Sequence, residues 1–444
     1  MNKNTYVGAC CGFFFLSGNA AASGFAVEQQ NAAAAGAAFA GAQAEAGDAG
    51  FAFYNPAAFG GIENFQASVN GTGLFIDTRY ENAENTLFGG TTAAGLTADD
   101  GAIDDALVPS LAAAWRVSDN IVAGLTLTAP FGLISNYDED SVLRFFGLET
   151  NLRALSLNPT VAVELTPKIT IGGALRIQYL DFTVTNDFDS AGVLASVNIP
   201  GNIPGTEVVP SRLADDDIAI GYQIGIQAQL TEKTRGGLSF TSRIDHNLEG
   251  PAEFDLTNSP AGQTIAALVG ALQPNVFSAE IPTPASIGIG LTHDVTDKFT
   301  LKASGVFTLW HSFEQFEATF ENTDQPPEIL TQDWRDVWGI SVGGEYDISD
   351  RVSIRAGVFI DETPVNETFT SPRVPDADRI WLNAGFSKKI SQRIGADFAA
   401  GYLLSENARV RQPAERAENA FRGAASADFE TNALFVSLRL KYER

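Results

Sequence analysis

"IAIGYQIGIQAQL", residues 218–230, decides how this chain is read. Ile218, Ile220, Tyr222, Ile224, Ile226 and Leu230 fall on alternate positions, and Gln223, Gln227 and Gln229 take the positions between them. Successive side chains of an extended strand point to opposite faces, so this stretch has one greasy face and one polar face. On a helix the same pattern would scatter its apolar residues around the axis. The segment is also longer than the usual globular strand of about 5–6 residues, and long enough to cross a bilayer at a tilt.

The alternation recurs along the chain. Fourteen segments carry it, beginning near Phe65, Leu107, Asn120, Arg153, Ile169, Ile218, Arg235, Ala285, Phe299, Trp334, Val352, Arg379, Ile394 and Asn432. Short links ("SDN", "TPK", "TEK", "VTDK", "DISDR", "KKISQ") alternate with long ones over roughly 81–106, 132–151, 186–215, 246–283, 313–333, 362–378 and 405–430. Tight turns at one end and long loops at the other mark an outer-membrane barrel, and an even strand count returns both termini to the periplasm. A soluble sandwich has no reason to gather its long loops at one end. The expected fold is therefore all-β: a 14-stranded antiparallel transmembrane β-barrel. The mean hydropathy of +0.00 agrees, since alternation hides lipid-facing residues from an average.

Parity then assigns faces. Trp115, Phe299, Tyr346, Phe386 and Tyr442 are expected in a periplasmic girdle, and Tyr179, Trp334, Trp338 and Tyr402 in an external one. Arg176, Gln178, Lys302, Arg355, Arg379 and Asp397 have the opposite parity and are expected to face the lumen.

Residues 1–22 read as a signal peptide, with Lys3, an apolar run from Tyr6 to Leu16, and Ala20-Ala21-Ala22 before the cleavage point. Both cysteines, Cys10 and Cys11, lie inside it, which leaves the mature chain without disulfide or thiolate chemistry. Removing Lys3 leaves 27 basic against 54 acidic residues, a net charge of −27. That charge argues against nucleic-acid binding. Acidic runs at Asp99-Asp100, Asp104-Asp105, Asp138-Glu139-Asp140 and Asp215-Asp216-Asp217 read as solvated surface, or as holders of divalent cations bridging to lipopolysaccharide. No nucleophile elbow, phosphate loop or paired-histidine metal motif occurs, and His246, His293 and His311 are scattered. No enzyme, cofactor or metal site is expected.

Between signal and first strand lies "GFAVEQQNAAAAGAAFAGAQAEAGDAGFAFYNPAAFGG", residues 24–61. A barrel of this size is either open or plugged. Small residues pack compactly inside a wall, and Phe39, Phe51, Phe53, Tyr54 and Phe59 argue against permanent solvation. Residues 23–63 are expected to form a hatch within the lumen, and residues 64–444 the barrel.

"SGFAVEQQN", "GDAGFAFYNPAAF", "APFGLISNY", "IPTPASIGIGLTHDVTDKFTLKASGVFTLWHSF" and "PDADRIWLNAGFS" appear in this order across the chain. In them it resembles the FadL family of outer-membrane transporters for long-chain fatty acids and other hydrophobic molecules. The resemblance implies a hatch that blocks the lumen, a greasy groove among external loops, an internal pocket, and sideways release at an inward kink of the third strand. On this chain it points to Phe51, Phe53, Tyr54, Asn55, Pro56 and Ala57 as hatch or gate residues. Gly124, Pro130, Phe131 and Gly132 become lateral-gap candidates. Phe188, Val193, Leu194, Val197, Ile199, Ile265, Leu268, Val269 and Leu272 are candidates for the external groove, with the last four read as one helical stripe. Arg176 and Lys302 are candidates to meet a carboxylate. Asp181, near the end of the fifth strand, stands where a fatty-acid carrier is expected to show a base. Uncharged hydrophobics such as aromatic hydrocarbons are the alternative cargo, and a general diffusion porin the alternative function. The expected partners are the cargo, membrane lipid and lipopolysaccharide, with the protein a monomer.

Overall fold

Alternation between a lipid face and a lumenal face, cut by short polar turns, leaves each strand only its neighbours for backbone pairing. The structure, a computed structural model describing residues 24–444, shows the result, a closed antiparallel barrel of fourteen passes. The signal segment and its cysteines lie outside the described residues. The passes are β1 (Phe65–Thr86), β2 (Ala106–Ser118), β3 (Ile121–Asn136), β4 (Glu149–Thr166), β5 (Ile169–Asp189) and β6 (Val208–Thr231). Then come β7 (Thr234–Thr241, continued as Ile244–Phe254), β8 (Asn275–Thr283, continued as Ala285–Thr296) and β9 (Phe299–Leu309). The remainder are β10 (Val337–Ser349), β11 (Val352–Asp361), β12 (Arg379–Lys389), β13 (Ile394–Ser405) and β14 (Ala424–Glu443). β14 closes on β1 in register from Gln66/Glu443 to Thr86/Ala424. Closure of β14 on β1 removes the two free edges of the sheet, which a bilayer would otherwise penalise.

The lipid face is as parity assigns it. Ile218 and Ile220 are each 65% exposed, and Trp115, Tyr346, Phe386, Trp338 and Tyr402 also point outward. Trp334 does not; it is buried among aromatic side chains inside the molecule. It precedes β10, so the parity of that strand does not reach it.

Several strands run further than alternation indicates. Val208–Ala214, Ile244–Phe254 and Asn275–Thr283 are strand where long loops were expected. Above the bilayer the outer face meets water, so the apolar half of the pattern disappears while the backbone ladder continues. Two short helices sit in the external loops, α2 (Ser190–Ser196) and α3 (Pro260–Val269).

Candidate functional site

The segment from Gly24 to Ile62 occupies the lumen. Its one α-helix, α1 (Ala32–Gly36), is capped by Asn31, whose side-chain oxygen accepts from Ala33 N at 2.8 Å and Ala34 N at 3.3 Å. A Ser/Thr/Asn-type cap satisfies donors that a short helix leaves open. The small side chains let α1 lie directly against β12 and β13, where Asn383 Nδ2 donates to Ala35 O at 2.8 Å. Asn55 serves two elements. Its Oδ1 accepts from Ala57 N (3.0 Å), and its Nδ2 donates to Gln43 O (2.8 Å) and to Ile226 O of β6 (3.1 Å). Pro56 and Ala57 press onto glycines of the wall. A Cβ at Gly172 would lie 2.3 Å from Ala57 N, and one at Gly225 would lie 2.0 Å from Asn55 Oδ1. No other residue type fits under this turn.

Charge fixes the periplasmic end. Two acids of the segment, Glu45 and Asp48, join an unbroken line of side chains across the lumenal wall. Lys302 bridges Glu45 (2.6 Å) and Glu345 (2.7 Å). Arg355 links Glu345 (3.0 Å) to Asp397 (3.7 Å), and Arg439 links Asp397 (2.6 Å) to Asp48 (2.8 Å). Lys441 adds a contact to Asp48 at 3.3 Å. Burial alone would raise the Asp48 carboxyl, but Arg439 and Lys441 outweigh it and hold the group well below the usual carboxylate range.

At the other end the wall itself changes. The β2–β3 ladder stops at Leu111/Leu127, while β3 stays paired to β4 as far as Asn136/Glu149 with a bulge between Thr128 and Phe131. The freed edge of β3 pairs with the N-terminal segment instead. Val27 N donates to Pro130 O and Gly132 N to Phe25 O, both at 2.9 Å, around an Ala26/Phe131 bridge. Phe25 fills an aromatic box, with ring centroids 4.7 Å from Trp310, 5.8 Å from Phe131 and Phe313, and 5.6 Å from Trp334. Of the lateral-gap candidates, Pro130, Phe131 and Gly132 stand at this parting. Gly124 does not. It is laddered to both β2 and β4 below the break, and its missing side chain makes room for Phe59.

A cavity of about 80 Å³ lies between the segment and this part of the wall, lined by Glu28, Phe53 and Tyr54 on one side and by Thr128, Phe131, Asn158, Arg176 and Gln223 on the other. The two carboxylate candidates separate here. Lys302 is held by Glu45 and Glu345 and is spoken for. Arg176, 6% exposed, donates to Ser242 O at 3.2 Å, and among the described residues no carboxylate lies within ion-pair distance of it. Asp181 does not oppose it. Asp181 has the outward parity of Tyr179 and pairs in register with Arg153. Glu28, facing the cavity from the segment, has its carboxyl pushed up to about 7 by burial and by Asp361. Larger hollows of about 1,100 and 740 Å³ open among the external loops, outside the lumen.

The external-groove candidates divide as well. Leu194, Ile265 and Leu272 are buried where α2 packs on α3, with Phe188, Val193 and Ile199 partly buried beside them. Val197, Leu268 and Val269 are exposed, at 61, 66 and 57%. The expected stripe of α3 is thus split, Ile265 turning inward and Leu268 and Val269 outward. Phe25, Trp310, Glu45 and Asp48 were not singled out from the sequence. A signal existed for the last two. They are acids in a segment of small residues, and a lumenal acid needs an inward-facing base.

A family model for outer membrane protein transport proteins (OMPP1/FadL/TodX) matches residues 13–443. The chain belongs to this family. It is 27% identical to an outer membrane protein of Neisseria meningitidis serogroup B, with 88% of each chain covered. It is 23% identical to the long-chain fatty acid transport protein of Escherichia coli O6:H1, over 73% of this chain and 74% of that one. Among solved structures, a Pseudomonas aeruginosa FadL homologue superposes with a TM-score of 0.86 at 22% identity, covering 95% of this chain and 99% of the other. The Ralstonia pickettii toluene transporter TbuX gives 0.68 at 17% identity, covering 94 and 99%. The chain is therefore an outer-membrane transport channel for hydrophobic compounds and not an enzyme.

Proposed function

We propose that this channel carries long-chain fatty acids down their gradient, with residues 23–63 as hatch and Arg176 as the group that receives the cargo's carboxylate. The observation that carries this reading is a buried guanidinium on the cavity wall with no acid beside it. A buried charge without a counterion is costly, and an arriving carboxylate offsets that cost. Exposed Val197, Leu268 and Val269 make a first apolar contact outside, supported by their exposure above the barrel. Each step shields apolar surface from water at roughly 25 cal/mol per Å².

The cavity of about 80 Å³ is smaller than the space that admits benzene, about 150 Å³. Cargo of either class therefore enters only when the hatch shifts; Ala26, in the stretch paired to β3, lines the cavity together with Glu28, Phe53 and Tyr54. Withdrawal of Phe25–Val27 opens the β2–β3 parting beside Pro130, Phe131 and Gly132, which supports sideways release there. Exposure to lipopolysaccharide and lipid follows from the barrel's position, and the chain acts as a monomer.

Binding and uptake of radiolabelled palmitate and toluene by wild type and Arg176→Gln test the assignment. Loss of a charge-assisted hydrogen bond of about 1.5–3 kcal/mol weakens palmitate binding at least tenfold and leaves toluene unchanged. Equal palmitate binding by both proteins overturns it. Toluene uptake without palmitate binding by wild type assigns the aromatic cargo instead, and large steady ionic currents in planar bilayers assign a porin.

A further inference from the structure

The wall parts in a second place. β6 and β7 are laddered from Thr231/Thr234 to Gln223/Thr241, and again from Leu213/Ala252 to Ser211/Phe254. Between these stretches no ladder joins Ala214–Tyr222 to the facing edge of β7, although β6 remains paired to β5 and β7 to β8 throughout. A single backbone bond, Ser242 N to Tyr222 O at 2.9 Å, closes the foot. Above it, side chains span the gap. Asp217 Oδ2 accepts from Asn247 N at 3.3 Å and meets His246 Nδ1 at 2.9 Å, and Asp215 Oδ2 accepts from Glu249 N at 2.7 Å. Ile244 leans across Gly221, where a Cβ would come within 2.5 Å of its Cγ1.

Two carboxylates, one isoleucine and the Ser242 hydroxyl, which accepts from Tyr222 N at 2.9 Å, thus do what a backbone ladder does elsewhere in the barrel. The difference matters mechanically. A ladder opens only when strands move apart, whereas this closure opens by rotation of Asp215, Asp217 and Ile244 about their own bonds. Both sides of the slit suit passage. Outside, β6 presents the lipid-exposed Ile218 and Ile220, while β7 presents the polar Asp245 and Asn247. The slit therefore opens at the border between hydrocarbon and headgroups. Inside, Arg176 lines the lumenal cavity and donates to Ser242 O at the slit's foot, and His246 of β7 reaches past β6 to Gln178 of β5 at 3.0 Å. The same cavity is walled on its far side by Thr128 and Phe131, which flank the bulge of β3, so it lies between the two partings.

We infer that the β6–β7 slit is a second lateral port, through which apolar cargo exchanges between the lumenal cavity and the outer leaflet. The inference rests on the proposed function, since it needs apolar cargo in that cavity. The test uses a photoreactive palmitate with a diazirine at the chain end, illuminated in cells expressing the full chain, with adducts located by mass spectrometry. Ile244 and Asp217 are the positions read, because probe dissolved in lipid labels Ile218 and Ile220 regardless. Adducts are expected at Ile244 or Asp217 and at Phe131. In a variant with Asp217→Cys and His246→Cys, whose native side chains meet at 2.9 Å across the slit, oxidation is expected to cut the Ile244 adducts at least fivefold and palmitate uptake at least twofold, with reductant restoring both. Adducts at Phe131 alone, or uptake unaffected by the disulfide, overturn the port while the proposed function stands. No lumenal adducts and no uptake by wild type overturn the proposed function itself, and the port with it.

Discussion

Replacing Asp48 by alanine tests what holds the hatch. The Asp48 carboxylate takes both ends of the Arg439 guanidinium, at 2.8 and 3.0 Å, contacts Lys441 at 3.3 Å, and caps Gly50 N at 3.0 Å. Deleting one partner of a buried ion pair costs about 3–5 kcal/mol. Here neither base is stranded, since Arg439 keeps Asp397 at 2.6 Å and Lys441 keeps Glu443 at 2.7 Å. That moves the expected cost to about 2–3 kcal/mol, or roughly 30- to 150-fold in the ratio of displaced to seated hatch. The readout is maleimide labelling of Ala52→Cys, a position 4% exposed in the lumen, in a mature chain expected to have no other cysteine. Labelling should accelerate by that factor while strand content, followed by circular dichroism, stays constant. An unchanged labelling rate refutes the claim that the ion line clamps the hatch. The Asp48 carboxyl lies below its ordinary range, so its contribution is complete above the ordinary value of about 3.9 and is lost only as pH falls through the lower, seated value. Between pH 5 and 8 this clamp should not vary.

Glu28 behaves in the opposite sense. Its carboxyl is raised from an ordinary 4.5 to about 7 when seated, so a hatch leaving the cavity gives up a proton between those values, and seating weakens across that window by up to about 3 kcal/mol. Ala52→Cys labelling should rise from pH 5 to 8, and Glu28→Gln should flatten the profile; a profile with the same slope in both proteins contradicts this. Phe25→Ala empties the box formed by Trp310, Trp334, Phe313 and Phe131 and should cost about 3–5 kcal/mol of hatch seating. Tryptophan emission should shift to the red as water reaches Trp310 and Trp334, and an unshifted spectrum contradicts that placement.

The barrel was legible because its signal is local. Every lipid-facing residue of β6 declares its face through its immediate neighbours, and the bilayer enforces that declaration along the whole strand. Above the bilayer the enforcement ends, and there the strand limits of β7 and β8 were missed. Trp334 was misplaced for the same reason, since a residue outside a strand has no parity to read. The site was less legible because its decisive facts are long-range. Arg176 and Lys302 look alike in sequence, both inward on apolar strands. Only the fold brings Glu45 and Glu345 to Lys302 and, among the described residues, brings no acid within ion-pair distance of Arg176. Asp181 looked like an obstacle to a fatty acid until register put it on the outer face. The aromatic box joins residues from the N-terminal segment, β3 and the loop after β9, which no spacing rule connects.

The central claim is that cargo reaches the cavity only when the hatch leaves β3. Ala26 and Phe131 form a non-hydrogen-bonded antiparallel pair, the arrangement in which Cα atoms come within about 4.5 Å and a disulfide fits. The most direct measurement is palmitate uptake by cells expressing Ala26→Cys with Phe131→Cys, oxidised and then reduced. Uptake should fall to background under oxidant and return on reduction. Equal uptake in the two states, with the disulfide verified, would show that transport proceeds with the hatch fixed to β3.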